Sequence, residues 1–186
     1  MKTIGLILAG GLSKRMGQCK SELLYQSKSL LQKQYETLAS LPQIDSVLVS
    51  GNQKDYISIP DQVLGQGPLE GIRCVATYVL ENYGPQKLLV LPVDMPLLDR
   101  DILTPLLKLP AKASGVKYLG FELPVLLKCD CNLLHKLTNL KCLNMPYSFK
   151  SLYSMLLIHE IQALHSHNFS NLNTPQDWKE FLNHEH

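Results

Sequence analysis

Residues 4–20 read Ile4-Gly5-Leu6-Ile7-Leu8-Ala9-Gly10-Gly11-Leu12-Ser13-Lys14-Arg15-Met16-Gly17-Gln18-Cys19-Lys20. The apolar run Ile4–Leu8 has the length of a buried strand. It breaks at Ala9-Gly10-Gly11, where two glycines let the backbone turn and lie close to a ligand. Ser13, Lys14, Arg15 and Lys20 follow, with Gly17 keeping the loop supple. A strand that empties into a glycine-rich cationic loop can hold phosphates, because backbone N–H groups face the oxygens while Lys and Arg neutralise charge. Two familiar phosphate loops are excluded by spacing. Five residues separate Gly11 from Gly17 and Lys20 stands three further on, so this is no Walker A loop, and G-x-G-x-x-G is absent from the stretch.

The remainder of the chain repeats the strand–helix alternation of a parallel α/β sheet. Glu22-Leu23-Leu24 reads as a short extended piece, and residues 29–38 carry helical spacing through Leu30, Leu31, Gln34, Tyr35 and Leu38. A strand is expected over 44–50, closing on Gly51-Asn52, followed by a polar irregular stretch over 53–66. Pro68 suits the first turn of a helix over 69–83, with Ile72, Val75, Ala76, Val79 and Leu80 facing inward. Residues 87–91 form the next buried strand, ending at Pro92-Val93-Asp94-Met95-Pro96. A short helix follows over 101–107.

Strands over 115–118 and 122–127 look like an antiparallel addition, and Pro124 points to an edge or irregular position for the second. Helices over 131–137 and 148–156, a strand over 158–164, and a final helix capped by Thr174 with Pro175 at its first position complete the reading. In that last helix Trp178, Phe181 and Leu182 face inward.

With 186 residues, 45% hydrophobic and 18% charged, one globular domain over 1–186 is expected. A net charge of +2 without a long Lys/Arg run argues against nucleic acid as partner. No apolar segment approaches the roughly 18 residues that would cross a bilayer, so no membrane role is expected. The N-terminal run is too short for a signal peptide. Five cysteines without framework spacing point to reduced thiols and a cytoplasmic location. The six histidines lack neighbours at ligand spacing and read as solvated.

In an open parallel sheet, ligands sit beyond the carboxyl ends of the strands. The glycine loop, Asn52 and Asp94 all fall there. Asp94 is framed by Pro92 and Pro96, and a phosphate-binding loop beside it calls for a cation, which makes Asp94 the candidate Mg²⁺ carboxylate. Mg²⁺ is thus the expected cofactor. Asp61 and Glu70 are the candidates for a second carboxylate, with Asp61 the better placed to touch a ligand.

Four stretches together resemble the molybdenum cofactor guanylyltransferases, the MobA proteins. Leu8-Ala9-Gly10-Gly11-x-Ser13-x-Arg15-Met16-Gly17-x-x-Lys20 is similar to the family's signature loop. Gly67-Pro68-Leu69-Glu70-Gly71-Ile72, Pro92-Val93-Asp94-Met95-Pro96-Leu97 and Asn171-Leu172-Asn173-Thr174-Pro175-x-Asp177 are similar to its later motifs, in the same order. The resemblance implies a Rossmann-like nucleotidyltransferase fold, a three-layer sandwich with a mostly parallel central sheet and an antiparallel addition. It implies transfer of GMP from Mg·GTP to molybdopterin, giving molybdopterin guanine dinucleotide and pyrophosphate.

Carried onto this chain, the resemblance assigns GTP contacts to Leu8, Ala9, Gly10, Gly11, Lys20, Asn52, Asp61 and Asp94, with Mg²⁺ on Asp94. Catalysis falls to Arg15, Lys20 and Asp94, and the molybdopterin side to Asn171, Asn173 and Thr174, although a helix cap explains Thr174 equally well. Proteins that deliver molybdopterin and apo-molybdoenzymes are the implied transient partners.

Two positions depart from the family pattern. Cys19 stands where many members have Asp before the Lys, and Tyr147-Ser148-Phe149 replaces an Arg-Ser-Leu-like stretch, removing one cation that would meet the pterin phosphate. Gly10-Gly11 after Leu8-Ala9, in place of Ala-Gly, favours guanine, since the missing methyl leaves room for the larger base. The alternatives are a CTP-dependent molybdopterin transferase, a sugar-phosphate nucleotidyltransferase, and a non-catalytic adaptor that binds nucleotide and delivers cofactor.

Overall fold

The computed structural model describes residues 1–10, 20–143, 145–164, 166–172 and 174–184. Gly11, Arg15, Cys19 and Asn173 lie outside the described residues, as does the side chain of Lys20.

The apolar run that opens the chain is β1 (Thr3–Leu8), buried along its whole length. That is the mark of a central strand covered on both faces. It pairs in parallel with β4 (Ser46–Ser50) on one side and β6 (Gln86–Pro92) on the other. The full sheet has seven strands in the order β5-β4-β1-β6-β8-β7-β9, with β5 at Ser58–Ile59, β7 at Gly115–Tyr118, β8 at Val125–Cys129 and β9 at Ile158–Ile161. Only β8 runs against its neighbours. Because it is antiparallel to both β6 and β7, β7 and β9 return to the direction of β1. The expected mostly parallel sheet with an antiparallel addition is therefore present.

Helices α1 (Leu30–Ala39), α2 (Pro68–Tyr83), α3 (Arg100–Leu106) and α4 (Cys131–Cys142) cover the sheet. The right-handed crossovers from β1 to β4 and from β4 to β6 run in opposite directions along the sheet and so put α1 and α2 on opposite faces. α3 lies on the side of α1 and α4 on the side of α2. Accordingly α2 packs on α4, while residues of α1 and α3 share a surface groove. α5 (Phe149–Ser154) lies against α4. α6 (Pro175–His184) places Phe181 against Tyr25, ring centroids 5.0 Å apart. Local chemistry sets the starts: Ser29, Asp99, Asp130 and Ser148 each cap a helix by accepting a backbone N–H, and Pro68 stands at the first position of α2.

Several sequence expectations need correction. β8 lies inside the sheet, not at an edge; Pro124 only precedes it, so its missing N–H interrupts no ladder. The strand expected over 158–164 ends at Ile161, and the helix expected over 131–137 continues to Cys142. The extended piece at 22–24 is a 3₁₀ turn, Lys20–Glu22, leading into a small hairpin of β2 (Leu24–Tyr25) and β3 (Lys28–Ser29). The stretch expected to be irregular contains β5, a two-residue edge strand too short to leave a periodic signal. Leu80 of α2 is only partly buried. No described helix is long and apolar enough to cross a membrane.

Candidate active site

Leu8, Ser50 and Pro92 are cross-strand partners, so β4, β1 and β6 end level with one another. The chain segments leaving this edge carry most of the predicted site. The Val93 N–H donates to the Leu8 carbonyl at 3.2 Å, extending the β1–β6 ladder to the residue before Asp94. Beyond it the Leu172 N–H donates to the Asp94 carbonyl at 2.9 Å, which draws Asn171 and Leu172 onto the same edge. Asp94 itself is half-buried.

On the β4 side the backbone packs closely. Gly51, with φ +110°, lies with its Cα environment against Gly10: a side chain on it would meet Gly10 N and Cα at 3.2 Å. A methyl on Gly10 would fall 3.1 Å from Asp61 Oδ2 and 3.2 Å from Ser50 Oγ. A methyl at Gly10 would therefore press on the Asp61 carboxylate and the Ser50 hydroxyl. Ser50 Oγ donates to Asp61 Oδ1 at 3.4 Å, and Gly71 in the first turns of α2 leaves room for that hydroxyl, since a Cβ there would overlap it. Asn52 follows Gly51 and is exposed. Burial, and then the negative charge of Glu70, push the Asp61 carboxyl above the usual range.

Glu70 is not a spare metal ligand. Its side chain is fully buried, and Arg73 grips it through Nε at 3.0 Å and Nη2 at 2.7 Å while Lys141 Nζ reaches it at 2.6 Å from the end of α4. The Arg73 hydrogen bonds, with help from Lys141, hold its carboxyl down at about 2. Arg73 also bonds Gln62 Oε1 at 2.8 Å, tying the loop after Asp61 to the same network. Tyr147 stands in this corner as a brace: its hydroxyl donates to the Leu69 carbonyl at 3.3 Å and Lys141 sits 5.0 Å above its ring. The position that departs from the family pattern therefore packs against α2.

Of the other predicted residues, Leu8 and Ala9 lead into the edge and Asn171 is exposed beside it. Thr174 is a cap, as its sequence allowed: its Oγ1 accepts from Asp177 N at 3.1 Å and Asp177 Oδ2 accepts from Thr174 N at 2.8 Å. Sequence reading missed Ser50, Arg73 and Lys141. The Glu70–Arg73 spacing of three on a helix was a usable signal; nothing local announces Lys141. A separate cavity of about 630 Å³ opens between α3, β7 and β9 along Ile102, Tyr118, Ile161 and Phe169, and none of the predicted site residues lines it.

Among the described residues no three His, Cys, Asp or Glu side chains gather as a cage for a metal. A cation that arrives on nucleotide phosphates needs only one or two carboxylates from the protein, with phosphate and water oxygens completing its sphere. One half-buried carboxylate at a strand end, with backbone carbonyls already engaged around it, fits that demand.

Residues 5–143 match the family model described as the MobA-like NTP transferase domain. The chain belongs to this family of nucleotidyltransferases. Among its relatives, the molybdenum cofactor guanylyltransferase of Xanthomonas euvesicatoria is 34% identical over 181 residues, covering 96% of this chain and 93% of that one. A molybdenum cofactor guanylyltransferase of Rhizobium meliloti is 35% identical over 106 residues, 52% of this chain and 48% of the relative. Among solved structures, molybdopterin-guanine dinucleotide biosynthesis protein A from Archaeoglobus fulgidus superposes with a TM-score of 0.73 at 17% identity, covering 98% of this chain and 100% of that one. The 2-C-methyl-D-erythritol 4-phosphate cytidylyltransferase of Francisella tularensis gives the same TM-score, 0.73, at 13% identity over 100% of both chains. The fold alone thus accommodates nucleotidyltransferases of different substrates.

Proposed function

We infer that this chain is a molybdenum cofactor guanylyltransferase, transferring GMP from GTP to molybdopterin and releasing pyrophosphate. The observation that carries the reading is the convergence of the Gly10, Asp61 and Asp94 segments on one sheet edge, in a chain 34% identical to a guanylyltransferase over 96% of its length. That relationship favours transfer over the delivery-adaptor alternative.

A terminal phosphate oxygen of the acceptor attacks the α-phosphorus of GTP in line; the new P–O bond forms as the bond to the bridging oxygen breaks, and pyrophosphate takes that electron pair. The acceptor oxygen is already anionic, so no strong general base is needed. Arg15 and Lys20 neutralise the phosphates and Asp94 holds Mg²⁺, which supplies electrostatic stabilisation of the transferring group when bound. Asp61 meets the base. Ser50 and Pro92 stand two strand spacings apart, roughly 10 Å, so Asp61 and Asp94 are separated along the cleft as a base and its phosphates are. A carboxylate can accept together from the N1–H and the amino group of guanine, an edge that neither adenine nor cytosine presents. Gly10 keeps that carboxylate clear.

The test is transfer from α-labelled GTP to molybdopterin, with pyrophosphate release. Asp94→Asn is expected to slow it by about a hundredfold or more, equivalent to losing roughly 3 kcal/mol of transition-state stabilisation, without lowering Tm. Wild-type rates in that variant would sink the assignment of Asp94, and selective thermal stabilisation by CTP over GTP, each with Mg²⁺, would reverse the choice of nucleotide.

A further inference from the structure

The buried residues of α1 are Leu30, Leu31, Gln34 and Leu38, with a primary amide set among leucines. Gln34 is 1% exposed. Its Nε2 donates to the Met95 carbonyl at 2.5 Å, across 61 residues of sequence, and its Oε1 is buried with no partner. An unmet buried acceptor is a cost to the fold, so an apolar side chain of similar volume would serve the core at least as well. Packing does not account for this residue.

Its bond lands on the turn that carries Asp94. The Val93 N–H is held by Leu8 O, the Asp94 carbonyl by Leu172 N, and the Met95 carbonyl by both Gln34 Nε2 and Leu98 N, the last at 3.3 Å. Pro92 and Pro96 fix their own φ angles but donate nothing. Three peptide groups around Asp94, 92–93 before it and 94–95 and 95–96 after it, are therefore held from three elements, and Gln34 supplies the only side chain among these contacts. With the peptide that follows Asp94 and the next one both held, the path of the chain out of Asp94 is set, and with it the direction in which its side chain leaves the backbone.

We propose that Gln34 is a positioning residue that aims the Asp94 carboxylate at the nucleotide-borne cation. The proposal rests on the reading of Asp94 as the metal carboxylate. The experiment titrates Mn²⁺, followed by electron paramagnetic resonance, into the full chain with a non-hydrolysable GTP analogue, alongside thermal melts and analogue affinity in EDTA. Gln34→Met keeps the length and volume of the side chain without the donor; Gln34→Leu is the second variant. Removing an outer partner that orients a ligand typically weakens metal binding by tenfold or more, and about tenfold weaker Mn²⁺ binding is expected here, with metal-free analogue affinity and Tm close to wild type. Unchanged Mn²⁺ affinity in a folded variant overturns the proposal, as does a loss that tracks Tm and metal-free affinity equally. Asp94→Asn separates the two readings. If it binds Mn²⁺ as wild type does, the assignment of Asp94 falls and this inference with it; if it is weakened while Gln34→Met and Gln34→Leu are not, only the role of Gln34 fails.

Discussion

Asp61 and Glu70 are neighbouring carboxylates at the entrance to α2, close enough that the charge of one raises the pKa of the other, yet they have been treated in opposite ways. Glu70 is fully buried between two cations that hold it ionised. Asp61 has one serine hydroxyl that favours its charge, outweighed by burial and the charge of Glu70, which disfavour it. Glu70 joins α2, α4 and the loop after Asp61, so it stabilises the wall of the cleft. Asp61 is held in an environment that disfavours its charge, which is what a group kept for a ligand would show. In the proposed function, one carboxylate builds the site and the other faces it.

The sharpest way to break this contrast is Glu70→Gln. Removing one member of a buried ion pair costs about 3–5 kcal/mol; because Arg73 and Lys141 reach solvent, about 3 kcal/mol is expected in urea unfolding, with kcat much less affected. The folded pKa lies below the unfolded one, so this stabilisation is complete above the ordinary 4.5 and is lost as pH falls through about 2. The gap between wild type and variant should close across that window. A gap independent of pH would deny the ion pair its role.

Asp61→Asn should do the reverse. Loss of a charge-assisted hydrogen bond to the base is expected to lower kcat/KM for GTP by about thirtyfold, roughly 2 kcal/mol. Its folded pKa is raised, so the native carboxyl is at an advantage below 3.8 and loses that advantage as pH rises through its folded value. Tm of the variant should therefore exceed wild type at pH 7 and match it below 3.8. A variant less stable at neutral pH and unaltered toward GTP would place Asp61 with Glu70 as structure.

The smallest effect is expected from Gly71→Ala, whose added Cβ overlaps Ser50 Oγ and strains the support of Asp61. Overpacking of this kind costs about 1–3 kcal/mol, here near the lower end because a hydroxyl can turn. Combining it with Ser50→Ala should recover most of that stability, a coupling readable in a double-mutant cycle. Additive losses would show that Ser50 is not what Gly71 accommodates.

Much of this was legible in the chain. The run Ile4–Leu8, the glycines after it, Pro68 at the head of α2, Asp94 between two prolines, and the Thr174–Asp177 cap are local signals of period, backbone freedom and hydrogen-bond supply. They determined the α/β alternation and the edge where a ligand would sit. Tertiary structure decided how each carboxylate is partnered. Lys141 meets Glu70 across 71 residues, Gln34 meets Met95 across 61, and Ser50 meets Asp61 because β5 pairs with β4 and sets Ile59 opposite Ser50. Pro124 pointed to a sheet edge, yet pairing by residues further along put β8 inside the sheet. Propensity and capping act over one or two turns of chain, whereas the partner of a buried charge or amide depends on strand order, which no local segment encodes.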